Sequence, residues 1–391
     1  MSDFIRDKTA IAGIGLSKFG RGLEESQLEL GLVAFKEALD DAGLTREDVD
    51  GLSIHMGWPI GVDYDRIAEV FGLDIRYVNQ TWLHGRFVTH ALQHAALAVA
   101  AGMADCVACI TAISFTRLRG LLGGPEDHEG TRDEGGTHGE APAYGLTAPA
   151  SGAAMAMQRY MAEYGATSEQ LGEVAVTFRK HAALNPRAVM RAPMSLEDHQ
   201  ASRMVIDPLR LYDCCLITDG AACVLVTSTE RARDLNARPV TIAGMQGIRS
   251  GREEFIFSPR GLGLNQQTTG PAPARERDLE VYRAASIDRD GVDGLYTYDA
   301  FAPLVLFTLE RFGFAGPGEA ANWIQNGRIG LGGELPMNTS GGLLSEAHVA
   351  GWNSITEMVR QLRGTAGETQ IENASVLQWG TSWGDSFILR N

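Results

Sequence analysis

The stretches Thr-Ala-Ile-Ala-Gly-Ile-Gly at 9–15 and Val-Thr-Ile-Ala-Gly-Met at 240–245 are short apolar strands of the same build. Each opens a run in which apolar strands alternate with helix-length amphipathic segments. That alternation marks strand–helix–strand units, and meeting it twice points to a duplicated α/β unit. In the first run, Ser26 and Glu29 have capping-box spacing. They precede a helix with Leu30, Ala34 and Ala38 on one face and Gly43 as its stop. Thr45 and Asp48 repeat the cap on a smaller scale, and 51–55 reads as a second strand. A strand–turn–helix–strand unit follows over 74–112, with its turn at 80–86. Two helices are predicted near 153–164 and 168–183. Residues 208–228 close the half, with Asp219-Gly220 as a turn signal ahead of a buried strand. The polar stretch 231–237 is the seam. Beyond it come a helix at 276–287, a strand at 295–298, a helix with Pro303 in its first turn, and closing strands at 375–378 and 386–389. The predicted halves are 1–230, with an insertion at about 117–205, and 231–391.

Residues 117–152 have no hydrophobic period and are too long for an ordinary connection, so they read as a lid or binding loop. His128, Glu129, Asp133, Glu134 and His138 within this stretch match no metal-ligand spacing and read as solvated charge. Gly13 and Gly15 invite a dinucleotide fingerprint, but the third glycine, Gly20, is misplaced; a tight strand-to-loop turn is the better reading. A formal charge of −15 over 391 residues disfavours nucleic acid and anionic membranes as partners. No apolar run reaches the ~20 residues that span a bilayer, and the first residues, Met-Ser-Asp-Phe-Ile-Arg-Asp-Lys, lack a signal-peptide pattern. The cysteines, Cys106, Cys109, Cys214, Cys215 and Cys223, are odd in number and sit in apolar runs. They read as buried thiols of a cytoplasmic protein.

The richest chemistry lies at 338–353, Asn-Thr-Ser-Gly-Gly-Leu-Leu-Ser-Glu-Ala-His-Val-Ala-Gly-Trp-Asn. Gly341 and Gly342 let backbone approach a ligand closely. Ser345 is the predicted N-cap of a helix whose stripe is Val349, Trp352, Ile355, Val359 and Leu362 and whose stop is Gly364. His348 then falls in the first turn, where free N–H groups and the positive end of the dipole would help it hold a developing oxyanion. Asn353 would give polar support farther along.

Four stretches carry a family resemblance across nearly the whole chain. They are Ala-Gly-Ile-Gly-Leu-Ser-Lys-Phe-Gly-Arg at 12–21; 208–224 with Asp213-Cys214-Cys215 and Asp219-Gly220-Ala221-Ala222; Tyr298-Asp299-Ala300-Phe301; and Gly341-Gly342-Leu343-Leu344-Ser345-Glu346-Ala347-His348. The chain resembles the thiolase superfamily, in the branch of thiolase-like sterol carrier proteins. The resemblance implies a duplicated five-layer αβαβα fold, a homodimer, and acyl-CoA thioesters as substrates. It also locates two departures. Val78-Asn79-Gln80-Thr81 leads to Trp82 where a thiolase carries its nucleophilic cysteine, and 377–384 lacks the second cysteine. Thiolase chemistry needs a thiolate to carry the acyl group.

Without one, the chain resembles the thiolase-like aldolases of steroid side-chain degradation. These cleave a β-hydroxyacyl-CoA to a ketone or aldehyde plus a short acyl-CoA such as propionyl-CoA or acetyl-CoA. Those relatives carry tyrosine at Tyr298, and tyrosine also where His348 stands here. The resemblance implies His348, Tyr298 and Asp299 as catalytic residues and Trp82, His84, Gly341, Gly342, Ser345 and Asn353 as substrate-binding residues. His348 takes the thioester-enolate or proton-transfer role and Tyr298 the β-oxygen role, as base or as donor. A free phenol titrates near ~10, so a basic Tyr298 needs a strongly stabilised phenolate. No metal and no covalent cofactor are implied, and coenzyme A enters as the substrate thioester. A small OB-fold zinc-ribbon protein is the expected partner. Two other functions stay open: an acyltransferase using an atypical nucleophile such as Cys214 or Cys215, and a non-catalytic acyl-CoA or lipid binder. Plainer roles stand beside the assigned ones: Tyr298 as a strand tyrosine, Asp299 as the N-cap ahead of Pro303, His90 and His94 as packing residues, and Trp379 and Trp383 as either cavity wall or core.

Overall fold

Both faces of the central strands are buried, and period-two patterning sorts their side chains. In β4 (Cys106–Ser114), Cys106, Ala108, Ile110 and Ala112 enter one core while Val107, Cys109 and Ile113 enter another. In β7 (Asp219–Ser228), Ala221, Cys223 and Leu225 join the first set and Ala222, Val224 and Val226 the second. Strands buried on both sides require helices on both sides. The computed structural model describes residues 2–55, 63–81, 87–118, 148–235, 238–249 and 276–391. After α1 (Ser2–Ile5), the first half runs β1 (Thr9–Leu16), α2 (Gln27–Ala42), β2 (Gly51–His55), α3 (Tyr64–Phe71), β3 (Tyr77–Thr81), α4 (Val88–Ala100), β4. The expected capping boxes form at Ser26–Glu29 and Thr45–Asp48, and Gly43 ends α2 in the left-handed conformation.

Next come α5 (Pro149–Tyr164), α6 (Ser168–Leu184), α7 (Leu196–Ala201) and the hairpin of β5 (Met204–Ile206) and β6 (Leu209–Arg210), followed by β7 and α8 (Thr229–Ala232). The second half runs β8 (Val240–Gln246), α9 (Glu280–Ala285), β9 (Gly294–Tyr296), α10 (Ala302–Arg311), α11 (Ala320–Trp323), α12 (Gly342–Ser345), α13 (Trp352–Arg363), β10 (Val376–Gly380), β11 (Ser386–Arg390).

Among the described residues nine strands form one sheet in the order β3-β2-β4-β7-β1-β8-β11-β10-β9. The order repeats outward from the antiparallel β1–β8 pair. On each side the half's first strand is followed by its last, antiparallel, and then by its second-to-last. The outer contacts are parallel, β4 with β2 and β2 with β3 on one side and β10 with β9 on the other. Helix α2 packs on β1, β4 and β7; α4 packs on β1–β4 and β7; α13 touches strands of both halves; α9 covers β8 and β11. Helices thus cover the faces of one large mixed sheet.

Three local expectations are corrected. Gly13 and Gly15 lie within β1, where a Cβ would stand 2.3 Å from the Ala38 carbonyl oxygen and 2.0 Å from that of Ala34. They bring strand and helix α2 together and form no nucleotide turn. Asp219-Gly220 begins β7 instead of a turn, and Gly220 makes room for Phe19, whose Cδ1 would meet an added Cβ at 2.6 Å. Cys214 and Cys215 lie in the half-buried connection between the 3-10 turn Leu211–Asp213 and β7, outside any strand.

Candidate active site

The connection after Asp213 joins two motifs that are remote in sequence. Cys215 N–H donates to the Ala300 carbonyl at 2.9 Å, and Leu216 N–H donates to that of Leu343 at 3.0 Å. The Thr218 hydroxyl accepts the backbone N–H of His348 at 2.9 Å. The end of β9 and the turn after Gly341 are thereby laid side by side. Asp213 anchors the connection, since its buried carboxylate meets His199 Nε2 at 3.0 Å and accepts Arg210 N–H at 2.8 Å.

On this frame Tyr298 Oη and His348 Nε2 form a hydrogen bond of 3.0 Å. The His348 ring also packs at 4.8 Å from that of Phe115, and Tyr298 packs at 5.9 Å from Trp383. Burial pushes the His348 pKa down to about 4, so the imidazole is neutral at pH 7. A neutral Nε2 accepting the phenol proton leaves the hydrogen on Nδ1, a tautomer inferred from the bonding pattern. His348 Nδ1 is buried and has no hydrogen-bond partner.

His348 does not sit in the first turn of a helix, and Ser345 is not an N-cap. The chain forms the short α12, then breaks: Ala350 (φ 54°) and Gly351 (φ 87°) are left-handed, and α13 starts at Trp352. Asp299 caps the short α12 instead, while α13 has Gly351 at its N-cap position and no side-chain cap. Its carboxylate accepts Leu343 N–H at 3.0 Å and Leu344 N–H at 3.2 Å. It does not cap α10, whose N-cap position is Phe301. Gly342 makes this possible, because a Cβ there would stand 2.2 Å from Asp299 Oδ2. Full burial raises the Asp299 pKa to about 7 against the pull of those two N–H groups.

Ser345 Oγ instead accepts from Arg179 Nε at 3.0 Å. Asn353 donates to Glu346 Oε2 at 2.7 Å. Gly341 (φ 106°) packs against Ala182. Glu346 itself was missed. It is fully buried and also accepts from Asn185 Nδ2 at 2.9 Å and Ser340 Oγ at 2.6 Å, and burial raises its pKa. Its signal in sequence was only a carboxylate within an apolar run. Trp82, His84 and most of the 117–152 loop lie outside the described residues.

Trp379 and Trp383 differ. Trp379 is buried against Phe387 and Gly351, whereas Trp383 faces Tyr298. The His90 and His94 rings pack tilted, with centroids 4.3 Å apart, and no cluster of three or more metal-ligating side chains occurs among the described residues. No helix among those residues is long and apolar enough to cross a membrane. Burial raises every cysteine thiol, Cys106 and Cys214 to about 12.

A family model described as "Thiolase C-terminal domain-like" matches residues 264–387. A steroid side-chain-cleaving aldolase of Thermomonospora curvata is 38% identical over 374 residues, 91% of this chain and 90% of that one. The 17-hydroxy-3-oxo-4-pregnene-20-carboxyl-CoA lyase of Mycobacterium tuberculosis is 38% identical over 367 residues, 92% of each chain. Among solved structures, an Ltp2–ChsH2(DUF35) aldolase superposes with a TM-score of 0.84 at 36% identity, covering 99% of this chain and 98% of that one. Human mitochondrial 3-ketoacyl-CoA thiolase, 13% identical with a TM-score of 0.65, shares the fold. With a sheet whose strand order repeats and a hydrogen-bonded Tyr298–His348 pair joining the two motifs, the chain belongs to the thiolase superfamily, in the thiolase-like branch that includes the steroid side-chain-cleaving aldolases.

Proposed function

We propose that Tyr298 and His348 together carry a retro-aldol cleavage of a β-hydroxyacyl-CoA. The enzyme is a carbon–carbon lyase. Tyr298 takes the proton of the β-hydroxyl while its own passes to His348 Nε2. The Cα–Cβ bond breaks, its electron pair moves into the thioester as an enolate, and a ketone or aldehyde leaves. Protonation at Cα gives the shorter acyl-CoA, so protons balance and no co-reactant is consumed. The 3.0 Å Tyr298–His348 hydrogen bond carries this reading. It removes the need for a standing phenolate, because the phenol loses its proton only as it gains another. The proton arriving at Nε2 makes an imidazolium, whose positive charge favours the enolate forming beside it. Asp299 acts through the Leu343–Leu344 turn, as a positioning residue.

Acyl transfer would need a thiolate, which the upward push on all five thiols disfavours. The substrate is a coenzyme A thioester, with a steroid side chain or a similarly bulky group as the class suggested by the relatives' names. Trp82, His84, Gly341, Gly342, Ser345 and Asn353 are its proposed substrate-binding residues. The chain works in the cytoplasm as a homodimer with halves meeting near residue 230. A small OB-fold zinc-ribbon protein, corresponding to the DUF35 partner named for the solved aldolase, assists it.

The test is a panel of β-hydroxyacyl-CoAs, incubated with and without such a partner and followed by mass analysis of products and intact protein. Ketone or aldehyde in equal amount to a shortened acyl-CoA, with no acylated protein, is the expected result. A covalent acyl-enzyme would overturn it in favour of acyl transfer, and binding without turnover under both conditions would overturn it in favour of a binding protein.

A further inference from the structure

We infer that Trp383 is the specificity-determining wall for the carbonyl fragment released by the enzyme; this rests on the retro-aldol reading above. Among the described residues, two rings meet Tyr298, those of His348 at 5.8 Å and Trp383 at 5.9 Å. The β-oxygen lies at Tyr298 Oη, so the β-carbon and its substituents lie within a few ångströms of that ring. His348 attends the thioester half. The indole of Trp383 is the other described ring beside Tyr298, and the substituents of the β-carbon fall against it.

Burial agrees with an open face here. Tyr298, His348 and Trp383 stay 8%, 6% and 8% exposed in a region where Tyr296 and Trp379 are 0% exposed.

The turn bearing Trp383 is also held from several directions. Arg311 Nε donates to the Ser382 carbonyl at 2.9 Å, Arg249 N–H to that of Trp383 at 2.8 Å, and Gln246 Nε2 to that of Gly384 at 2.5 Å. Trp383 N–H donates to Thr381 Oγ1 at 3.2 Å. Arg311 is itself buried and ion-paired with buried Asp278 at 3.3 Å. Three carbonyls in a row, each with a donor from another element, fix the indole in place before substrate arrives. A fixed flat apolar surface gains most from a fragment that is itself flat and large, through area and ring stacking. A methyl-sized substituent leaves most of it uncovered. The preferred product is therefore a ring-bearing ketone, in contrast to acetone or a short aldehyde.

Two substrates with the same acyl half separate the cases. One is 2-(1-hydroxyindan-1-yl)propionyl-CoA, which releases 1-indanone; the other is 3-hydroxy-2,3-dimethylbutyryl-CoA, which releases acetone. Both give propionyl-CoA. The wild type, Trp383→Ala and Trp383→Phe are compared for kcat/KM and for equilibrium binding of both thioesters, with and without the partner protein. The expected result is a preference for the indanyl substrate in the wild type, reduced about tenfold or more in the alanine variant and less in the phenylalanine variant, with acetone release changed by less than about threefold. Equal losses on both substrates would mean a structural role and would overturn the proposal, as would an unchanged preference. Binding separates the two hypotheses. If neither thioester is cleaved, the lyase reading falls, while a wild-type binding preference that disappears in Trp383→Ala still supports the wall and one that persists overturns it.

Discussion

Two buried histidines, His181 in α6 and His348 after α12, have received the same push from burial and been wired differently. His181 and His348 are both driven down to about 4 by loss of solvent. His181 spends both ring nitrogens on backbone: Nδ1 meets the Asn338 carbonyl at 3.3 Å and Nε2 accepts Leu331 N–H at 3.2 Å. His348 meets a side-chain hydroxyl with Nε2 and leaves Nδ1 unpartnered. A histidine saturated by immobile backbone groups cannot take up a proton without losing a bond. One bonded to a phenol can, because the phenol supplies the proton. A depressed pKa therefore says little about function by itself, and the partners decide.

The sharpest way to break this contrast is to remove each ring in turn. His348→Ala is expected to lower kcat on a β-hydroxyacyl-CoA by roughly 10²–10⁴-fold, the usual worth of a positioned acid–base group. Thermal unfolding should show the fold retained. A loss below about tenfold would place the proton elsewhere. Tyr298→Phe comes next, expected to lower kcat by about 10²-fold with KM changed far less, since it removes one hydroxyl at the reacting oxygen. If KM rises while kcat stands, Tyr298 is a binding residue and the relay is wrong.

His181→Ala should act on the other axis. It strips the partner from a buried N–H and opens a cavity, so urea denaturation should show a loss of about 2–3 kcal/mol. The kcat per folded active site should change by less than about twofold. The sign of its pH dependence is fixed by linkage. The unfolded imidazole binds a proton near pH 6.5, while the folded one resists until about 4. In that window the unfolded state holds more protons, so His181 costs the wild type stability as pH falls. The stability gap between the wild type and His181→Ala should narrow from pH 6.5 towards pH 4. A gap that widens would mean that the folded state accepts the proton.

The contrast between the histidines also marks what was legible in sequence. Elements set by local chemistry were readable: the capping boxes at Ser26 and Thr45 and the stop at Gly43 involve residues within one turn of each other. The misread helix start was not. Val349, Trp352 and Ile355 keep a helical apolar spacing straight through the break at Ala350 and Gly351. The break itself answers to Trp379, whose Cη2 would stand 2.7 Å from a Cβ on Gly351. The role of Asp299 was hidden for the same reason, since the N–H groups it accepts lie more than forty residues on, at Leu343 and Leu344. Motif resemblance placed Tyr298 and His348 in one site, but only the fold shows that they are bonded to each other. It also separates Trp383, beside Tyr298, from Trp379, which four residues of spacing could not distinguish from it.

The smallest expected effect is the most selective. A histidine base of ordinary exposure would give kcat an acid limb near pH 6.5. With His348 held at about 4 by burial, the imidazole stays neutral and able to accept from Tyr298 throughout pH 5–7. The sign follows directly: protonation removes the acceptor, so the rate falls only as pH drops through the folded-state value. Between pH 5 and 7, kcat should therefore change by less than about twofold, with enzyme integrity checked at each pH. A limb centred near 6.5 would show His348 to be solvated and hydrogen-bonded as an imidazolium in the working enzyme. The relay would then have to run in the other direction, from histidine to phenol. His181 cannot mimic either result, because its nitrogens answer to Asn338 and Leu331 and its protonation is read in stability, not in rate.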